Sequence, residues 1–363
     1  MKYKVDTNEK VLVTGATGFI AGWLIKKLVE MGVCVHAAVR DPDNEQKVAH
    51  LKLLSQNGPG SVVLFKADLT ETGSYSSAMQ GCTTIFHTAS PFIIKFDDAK
   101  KDLIEPALSG TKNVLFSANA TESVKRVVLT SSCAAIFGDA AECIHTPDGK
   151  LTEDIWNTTS SENHQPYSYS KTIAEQAAWK MADSQDHWDL VVINPALVIG
   201  PTVSGKSTSG THEIFRQLGD GNMKAGAPPF EVGMVDVRDV AEAHIRAAYI
   251  KRAAGRHIVF NEVQSPLGLA NYLTEKYGTD YPLPRKELPK WLIWLVGPIV
   301  DKTFSRKMIS LNMGHKWLAD NTKSVEKLGV TYSSLNTSAE EMFQQMIDQV
   351  DFNKNEYLLL LTK

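Results

Sequence analysis

Three residues of this chain carry groups suited to moving a proton on and off an oxygen: Ser132, Tyr167 and Lys171. In the stretch YSYSK (167–171) two tyrosines precede the lysine, and helical spacing chooses between them. Residues four apart lie on one helix face, whereas residues two apart diverge. A helix here stacks Tyr167 over Lys171 and turns Tyr169 toward packing or loop contacts. A phenol has a reference pKa of about 10, so a neighbouring ammonium that favours phenolate brings it closer to work at neutral pH. Tyr167 then serves as general acid or base on a carbonyl or alcohol, and a serine hydroxyl bonds the same substrate oxygen. Ser132 closes the run RVVLTSS (126–132), and strand alternation points only one of Ser131 and Ser132 into the cleft. Ser132 is the favoured one.

Such groups need a frame. KVLVTG (10–15), VCVHAAVR (33–40), SVVLFKADL (61–69), TTIFHTAS (83–90), RVVLTSS (126–132) and LVVINPALVIGP (190–201) read as strands. Helical stretches lie between them: FIAGWLIKKLVEMG (19–32), a segment begun by the Asp-Pro-Asp cluster after residue 40, a helix around 100–120 and one from about 167 to 182. Alternating strands and helices imply parallel strands joined by crossovers, hence an α/β fold with a Rossmann-type doubly wound parallel sheet. The pattern loosens after 201. GKSTSG (205–210) and GDGNMKAGAPP (219–229) read as loops, YPLPRKELP (281–289) is proline-rich, and a helical tail ends the chain. The expected division is a dinucleotide domain of residues 1–201 with a return segment near 231–262. A smaller, mostly helical substrate lobe takes 202–230 and 263–363.

The first loop of that frame, TGATGFIA, spaces Gly15, Gly18 and Ala21 as G-x-x-G-x-x-A between a strand and a helix. Gly15 makes the tight turn, Gly18 lets backbone approach a pyrophosphate, and Ala21 keeps helix close to strand. The second strand ends on Arg40 where an NAD site usually places a carboxylate. A guanidinium suits a 2′-phosphate instead, which points to NADP, with Lys47 as a second cation. Asp68 and Leu69 end the third strand, where the carboxylate would hold the adenine amino group or cap the following turn. Thr88, Ala89 and Ser90 end the fourth and would pass beneath the cofactor. Lys171 is placed to hold the nicotinamide ribose as well.

Composition limits the rest. Hydrophobic residues form 43% and charged residues 22% of 363 residues, which suits a soluble protein with a large core. A net charge of -3 gives no pull toward nucleic acid or an anionic membrane. MKYKVDTNEK lacks the apolar run of a secretory signal, and WLIWLVGPIV (291–300) is too short to span a bilayer, so it reads as a buried or lid-forming helix. Cys34, Cys82, Cys133 and Cys143 lack metal-ligand spacing and read as free, buried thiols. The expected location is the cytoplasm, with a small-molecule carbonyl or alcohol as partner, no nucleic acid and no membrane insertion; nothing specifies an oligomeric state. Among other residues, His87 reads as a hydrogen-bonded core histidine, and His145, His164 and His212 as loop residues that either line a pocket or, the favoured reading, lie at the surface. Asn113 reads as a brace, Trp156 and Phe92 as cleft-rim side chains, and Asp236, Arg238 and Asp239 as ties and a helix cap.

VLVTGATGFIAGWL, VRDPDNEQKVAHL, FKADLTETGSY, GCTTIFHTASP, RVVLTSS, YSYSKTIAEQAAWK and INPALVIGP, in this order over residues 10–201, resemble the extended short-chain dehydrogenase/reductases. Within them the text resembles the dihydroflavonol 4-reductase and cinnamoyl-CoA reductase branch, which includes microbial carbonyl and aldehyde reductases. The resemblance implies NADP(H)-dependent reduction of a ketone, aldehyde or thioester with Ser132, Tyr167 and Lys171 as the catalytic triad. It implies cofactor contacts from Gly15, Gly18, Phe19, Ile20, Arg40, Lys47, Asp68, Leu69, Thr88, Ala89 and Pro195, besides Tyr167 and Lys171. Residues 133–166 and 202–230, which define substrate in this branch, differ from the plant flavonoid enzymes. Two other readings keep the fold: a 3β-hydroxysteroid dehydrogenase or an NAD-retaining sugar-nucleotide epimerase or dehydratase, against which Arg40 speaks. A third is a non-catalytic NADP-sensing binding protein, against which the intact Ser132, Tyr167 and Lys171 set speaks.

Overall fold

In the computed structural model, which describes residues 3–91, 97–205, 210–300, 305–349 and 352, the strands and helices alternate as the sequence leads one to expect. The chain runs β1 (Lys10–Thr14), α1 (Phe19–Glu30), β2 (Cys34–Val39), α2 (Glu45–Asn57), β3 (Ser61–Lys66), α3 (Ser76–Met79), β4 (Cys82–His87), α4 (Glu105–Asn119), β5 (Arg126–Thr130), α5 (Pro166–Ala182), β6 (Asp189–Pro195) and β7 (Leu197–Ile199). It continues through α6 (Gly210–Gly219), β8 (Val232–Asp236), α7 (Val237–Tyr249), β9 (Gly255–Val259), β10 (Glu262–Gln264), α8 (Pro266–Tyr277), α9 (Lys290–Val300), α10 (Arg306–Asn312) and α11 (Leu335–Asp348).

Seven parallel strands form the main sheet in the order β3-β2-β1-β4-β5-β6-β9. The chain moves outward from β1 to β3, then returns to the other side of β1 to lay down β4. That reversal opens a crevice at the carboxyl ends of β1 and β4, where ligands bind in open α/β sheets. A three-stranded sheet, β10-β8-β7, stands apart.

Why the strands are buried follows from their composition. β1 reads KVLVT, apolar on both faces, because helices cover the sheet on both sides. On one side α1 buries Ala21, Leu24, Ile25, Leu28 and Val29 in a core shared with Val240, Ala243 and Ala247 of α7. On the other, Val114, Leu115 and Ala118 of α4 pack with Ala178 of α5 over Leu12, Ile85 and Val127.

Asp236 caps α7, accepting the Arg238 backbone N–H at 2.6 Å, and its carboxylate also accepts the Ser338 hydroxyl of α11 at 2.6 Å. Arg238 pairs with Glu341 of α11 at 2.6 Å, and Asp239 takes the Ser333 hydroxyl at 2.8 Å. These three residues are thus the cap and ties that their sequence suggests.

Some elements differ from expectation. β3 stops at Lys66, short of Asp68 and Leu69, and β4 stops at His87. The run 190–201 is two strands broken at Ala196, the second of which joins the small sheet. α9 is a helix, but no residue from Lys290 to Ile299 is buried, and Trp291 and Ile299 are 67% and 85% exposed. Of the expected buried or lid-forming helix, burial is therefore not met: α9 is a surface helix, packed on α10. Among the described residues no helix is long and apolar enough to cross a membrane. The thiols are free, and Cys82, Cys133 and Cys143 are buried as expected; Cys34, at the start of β2, is only half-buried. Phe92 and most of the 205–210 loop fall outside the described residues.

Candidate active site

The glycine turn is built by exclusion. Gly15 has φ +63°, and a Cβ there would sit 2.8 Å from the Cα of Ala89. Only glycine lets the β1–α1 loop pass this close to the segment after β4. The two are laced together: the Thr88 hydroxyl donates to the Thr14 carbonyl, and the Ala89 N–H donates to Thr14 Oγ1 at 3.1 Å. Thr14 Oγ1 also meets His87 Nδ1 at 2.9 Å. His87 is buried, and burial pushes its pKa down to about 3, so it is the neutral core histidine its sequence context suggests. Gly18 starts α1 without a capping side chain, and no acidic residue occupies the first turn. The first N–H groups of α1 thus face the crevice with no carboxylate beside them, as an anion requires.

At the rim, the Arg40 side chain is 82% exposed and its Nε lies 3.8 Å from Asp68 Oδ2. Lys47 is exposed in the first turn of α2. Asp68 sits beyond β3 in a turn of its own, accepting the Thr70 N–H at 2.8 Å and hydroxyl at 2.6 Å, bonds that hold its carboxyl below the usual range. Asn113 braces this turn: its amide donates to Leu69 O at 3.1 Å and Glu71 O at 2.7 Å, while its oxygen accepts Gly73 N–H at 2.9 Å. Phe19 and Ile20 open α1 half-buried, and Pro195 closes β6.

Deeper in the crevice, α5 carries Tyr167 and Lys171 one turn apart. Lys171 Nζ lies 5.7 Å from the centre of the Tyr167 ring and donates to Ser90 Oγ at 3.0 Å. Ser132, from the end of β5, hydrogen-bonds the phenol. Ser131 faces the other way and donates to Glu175. Strand alternation is thereby resolved with Ser132 at the tyrosine. The electrostatics depart from expectation. Burial pushes the phenol up to about 12, outweighing the Ser132 hydrogen bond, and pushes the Lys171 ammonium down to about 8 against the pull of Glu175. As it stands the pair is a neutral phenol beside a weakened ammonium, not a phenolate in waiting.

Several residues in this region carried no functional signal in the sequence. Glu175 is one, at the Lys171 spacing plus one further turn. Its carboxylate is fully buried and accepts Ser131, Asn194 Nδ2 at 2.9 Å and Arg256 Nε at 2.6 Å. Arg256 stacks on Trp156 at 4.0 Å, which gives the expected rim residue a structural partner. Asp139 is another: it accepts His164 Nε2 at 2.6 Å, Gln165 Nε2 at 3.1 Å and Asn312 Nδ2 at 2.6 Å. Gln165 has φ +54° just before Pro166, a left-handed conformation costly for a non-glycine residue, and it sets where α5 begins. A pre-proline glutamine gives no warning of this in sequence. His164 is therefore not a free surface residue, and neither is His212. The latter is buried on α6 with its ring 5.4 Å edge-on from Phe19, and burial pushes it down to about 4. His145 is exposed as expected.

Comparison with known proteins agrees with the fold. The profile of the NAD dependent epimerase/dehydratase family matches residues 11–261. The chain is 40% identical over 279 residues to a cinnamoyl-CoA reductase of Medicago truncatula, covering 76% of this chain and 83% of that one. It is 38% identical over 288 residues to a putative anthocyanidin reductase of Ginkgo biloba, covering 76% and 82%. Among solved structures it is similar to Gre2 of Candida albicans in complex with NADPH, with TM-score 0.73 and 30% identity over 94% of this chain and 99% of that one. The crevice at the sheet reversal, the glycine turn and this breadth of likeness lead to one conclusion: the chain belongs to the extended short-chain dehydrogenase/reductases, in the dihydroflavonol 4-reductase and cinnamoyl-CoA reductase-like branch, and is an NAD(P)-dependent oxidoreductase.

Proposed function

We propose that the protein is an NADP(H)-dependent carbonyl reductase that reduces a ketone or aldehyde to the alcohol, with Ser132, Tyr167 and Lys171 as its catalytic residues. The observation that carries this reading is the hydrogen bond between Ser132 and Tyr167, with Lys171 one helical turn away at the same strand ends. When bound, the dinucleotide supplies the hydride. The chain's own residues do the rest. Tyr167, kept neutral by burial, gives its proton to the carbonyl oxygen as negative charge develops there. Ser132 donates to the same oxygen and steadies that charge before the proton arrives. Lys171, still largely protonated at neutral pH, favours the phenolate left behind.

The crevice fits an NADP. The loop passes Ala89 so closely that a Cβ at Gly15 is excluded, and the uncapped start of α1 offers N–H groups to a pyrophosphate. Arg40 stands nearly free in solvent, with Asp68 only loosely beside it, and is available to a 2′-phosphate. The relative that binds NADPH and the two relatives named as reductases support the same direction of chemistry. Gly18, Phe19, Ile20, Lys47, Asp68, Leu69, Thr88, Ala89 and Pro195 complete the proposed cofactor contacts. Residues 1–201 with 231–262 make up the proposed dinucleotide part; 202–230 and 263–363 contribute the proposed substrate lobe.

The test is direct. Purified protein with NADPH and a panel of aromatic and aliphatic aldehydes and ketones should consume NADPH, and do so faster than with equal NADH. No consumption across the panel would contradict the assignment.

A further inference from the structure

We infer that Glu175 is a positioning residue for proton transfer: its buried carboxylate fixes the Ser132 backbone on one side and sustains the charge of Lys171 on the other, with Arg256 as its counter-ion. The inference rests on the roles proposed above for Ser132, Tyr167 and Lys171.

A buried ion pair by itself is weak evidence of function, since apolar replacements are often neutral. What matters is where this one is wired. Tyr167, Lys171 and Glu175 lie at i, i+4 and i+8 of α5, so they form one line along one face. Glu175 accepts the hydroxyl of Ser131, the residue before Ser132. It also accepts Asn194 Nδ2 at 2.9 Å, and the same amide group donates to the Ser132 carbonyl at 3.2 Å. Arg256, bonded to Glu175 at 2.6 Å, reaches the Ala135 carbonyl at 3.3 Å. One carboxylate therefore holds the chain before, at and after Ser132. Arg256 also donates to the carbonyls of Glu153 at 2.9 Å and of Ile155, closing the 133–166 segment over the same hub.

The electrostatic half follows from which charges face Lys171. On its own helix they are Tyr167 and Glu175; from the end of β4 come neutral His87 and the Ser90 hydroxyl; Cys133, a protonated thiol, lies by Tyr167. Arg256 of β9 reaches the group through Glu175. Alongside pack α4 and the helical turn Lys100–Ile104 that leads into it, where Lys100, Lys101, Glu105 and Lys112 are exposed and Asp102 half-buried. Glu175 is thus the carboxylate that favours the ammonium against burial.

The sign can be tested from both directions. Turnover that needs the Lys171 ammonium falls as pH rises through its pKa, giving an alkaline limb in the kcat profile. Glu175→Gln keeps shape and removes the charge, so the limb should move to lower pH by about one unit or more, with activity regained in more acidic buffer. Arg256→Met removes the opposing cation, so the limb should move the other way. A purely architectural pair would lower kcat in both variants without displacing the limbs in opposite directions. Unmoved limbs, or limbs moved the same way, overturn the inference. Should Glu175→Gln not fold, Arg256→Met decides. Should neither fold, Ser131→Ala decides: a several-fold lower kcat with KM little changed is expected, and an unchanged kcat overturns it. Tyr167→Phe is measured beside them. Wild-type turnover in Tyr167→Phe sinks the proton-donor reading itself, whereas an inactive Tyr167→Phe beside an unshifted Glu175→Gln sinks only the role of Glu175.

Discussion

The strand ends around β1 and the helix α9 are two apolar regions with opposite fates. Val11, Leu12 and Val13 are wholly buried, and the groups beyond them are held by mutual hydrogen bonds. In α9, Trp291, Trp294, Leu295 and Ile299 face solvent. Hydrophobicity alone does not separate them. A parallel strand is covered by helices on both faces as a consequence of its crossovers, whereas a helix outside those crossovers is covered only where a neighbour packs on it, here α10. The first region can therefore tolerate little change and the second a good deal.

The largest expected effect concerns the buried histidines of the tightly packed region and its flanks. His87, His212, His244 and His257 are all buried, with pKa values pushed down to about 3, 4, 4 and 4 by burial. Their unfolded value is near 6.5, so below that pH the unfolded chain binds protons that the folded one refuses. Stability is then lost as pH falls, by about 2 kcal/mol for each histidine at pH 5. Tm should drop by on the order of 10 °C between pH 7.5 and pH 5. An unchanged Tm would mean these imidazoles accept protons in place.

Next comes Ser132→Ala. Loss of one donor to the developing oxyanion should reduce kcat by about 10²–10³, with NADPH binding retained. Gly15→Ala follows. Its Cβ has no room beside Ala89 and its φ is left-handed, so a cost of about 1–3 kcal/mol in stability is expected, together with weaker NADPH binding in a titration. Arg40→Gln should erase about tenfold or more of the preference for NADPH over NADH in kcat/KM, the worth of charge-assisted bonds to a phosphate. An unchanged preference would leave Arg40 as a surface charge. The smallest effect belongs to α9: Trp291→Ser should shift stability by no more than about 0.5 kcal/mol, read as an unchanged Tm. A large destabilisation there would erase the contrast between the two regions.

Much of this contrast is legible in the sequence where the cause is local. A glycine that must turn left-handed, a strand apolar on both faces and a tyrosine one turn before a lysine each leave a mark within a few residues. The sheet, its order of elements and the neighbourhood of Ser132, Tyr167 and Lys171 follow from such marks. What escaped depends on distant partners. Glu175 four residues after Lys171 looks like an ordinary surface pair until Arg256, 81 residues away, meets it. Asp68 is legible only as one of two alternatives, and the turn-capping one holds, with Thr70 bonding its carboxylate and Asn113 bracing the turn. His212 reads as a loop residue, yet α6 carries it against Phe19. WLIWLVGPIV reads as buried or lid-forming because its letters are apolar, and only the packing reveals that nothing among the described residues covers its outer face.

The central claim is that the Tyr167 phenol delivers the proton, and Tyr167→Phe tests it most directly because it deletes one oxygen and little else. Titrating the variant with NADPH should give a Kd close to the wild-type value, while turnover of a carbonyl substrate should fall by about 10²–10⁴. Turnover at the wild-type rate with the cofactor bound would contradict the account.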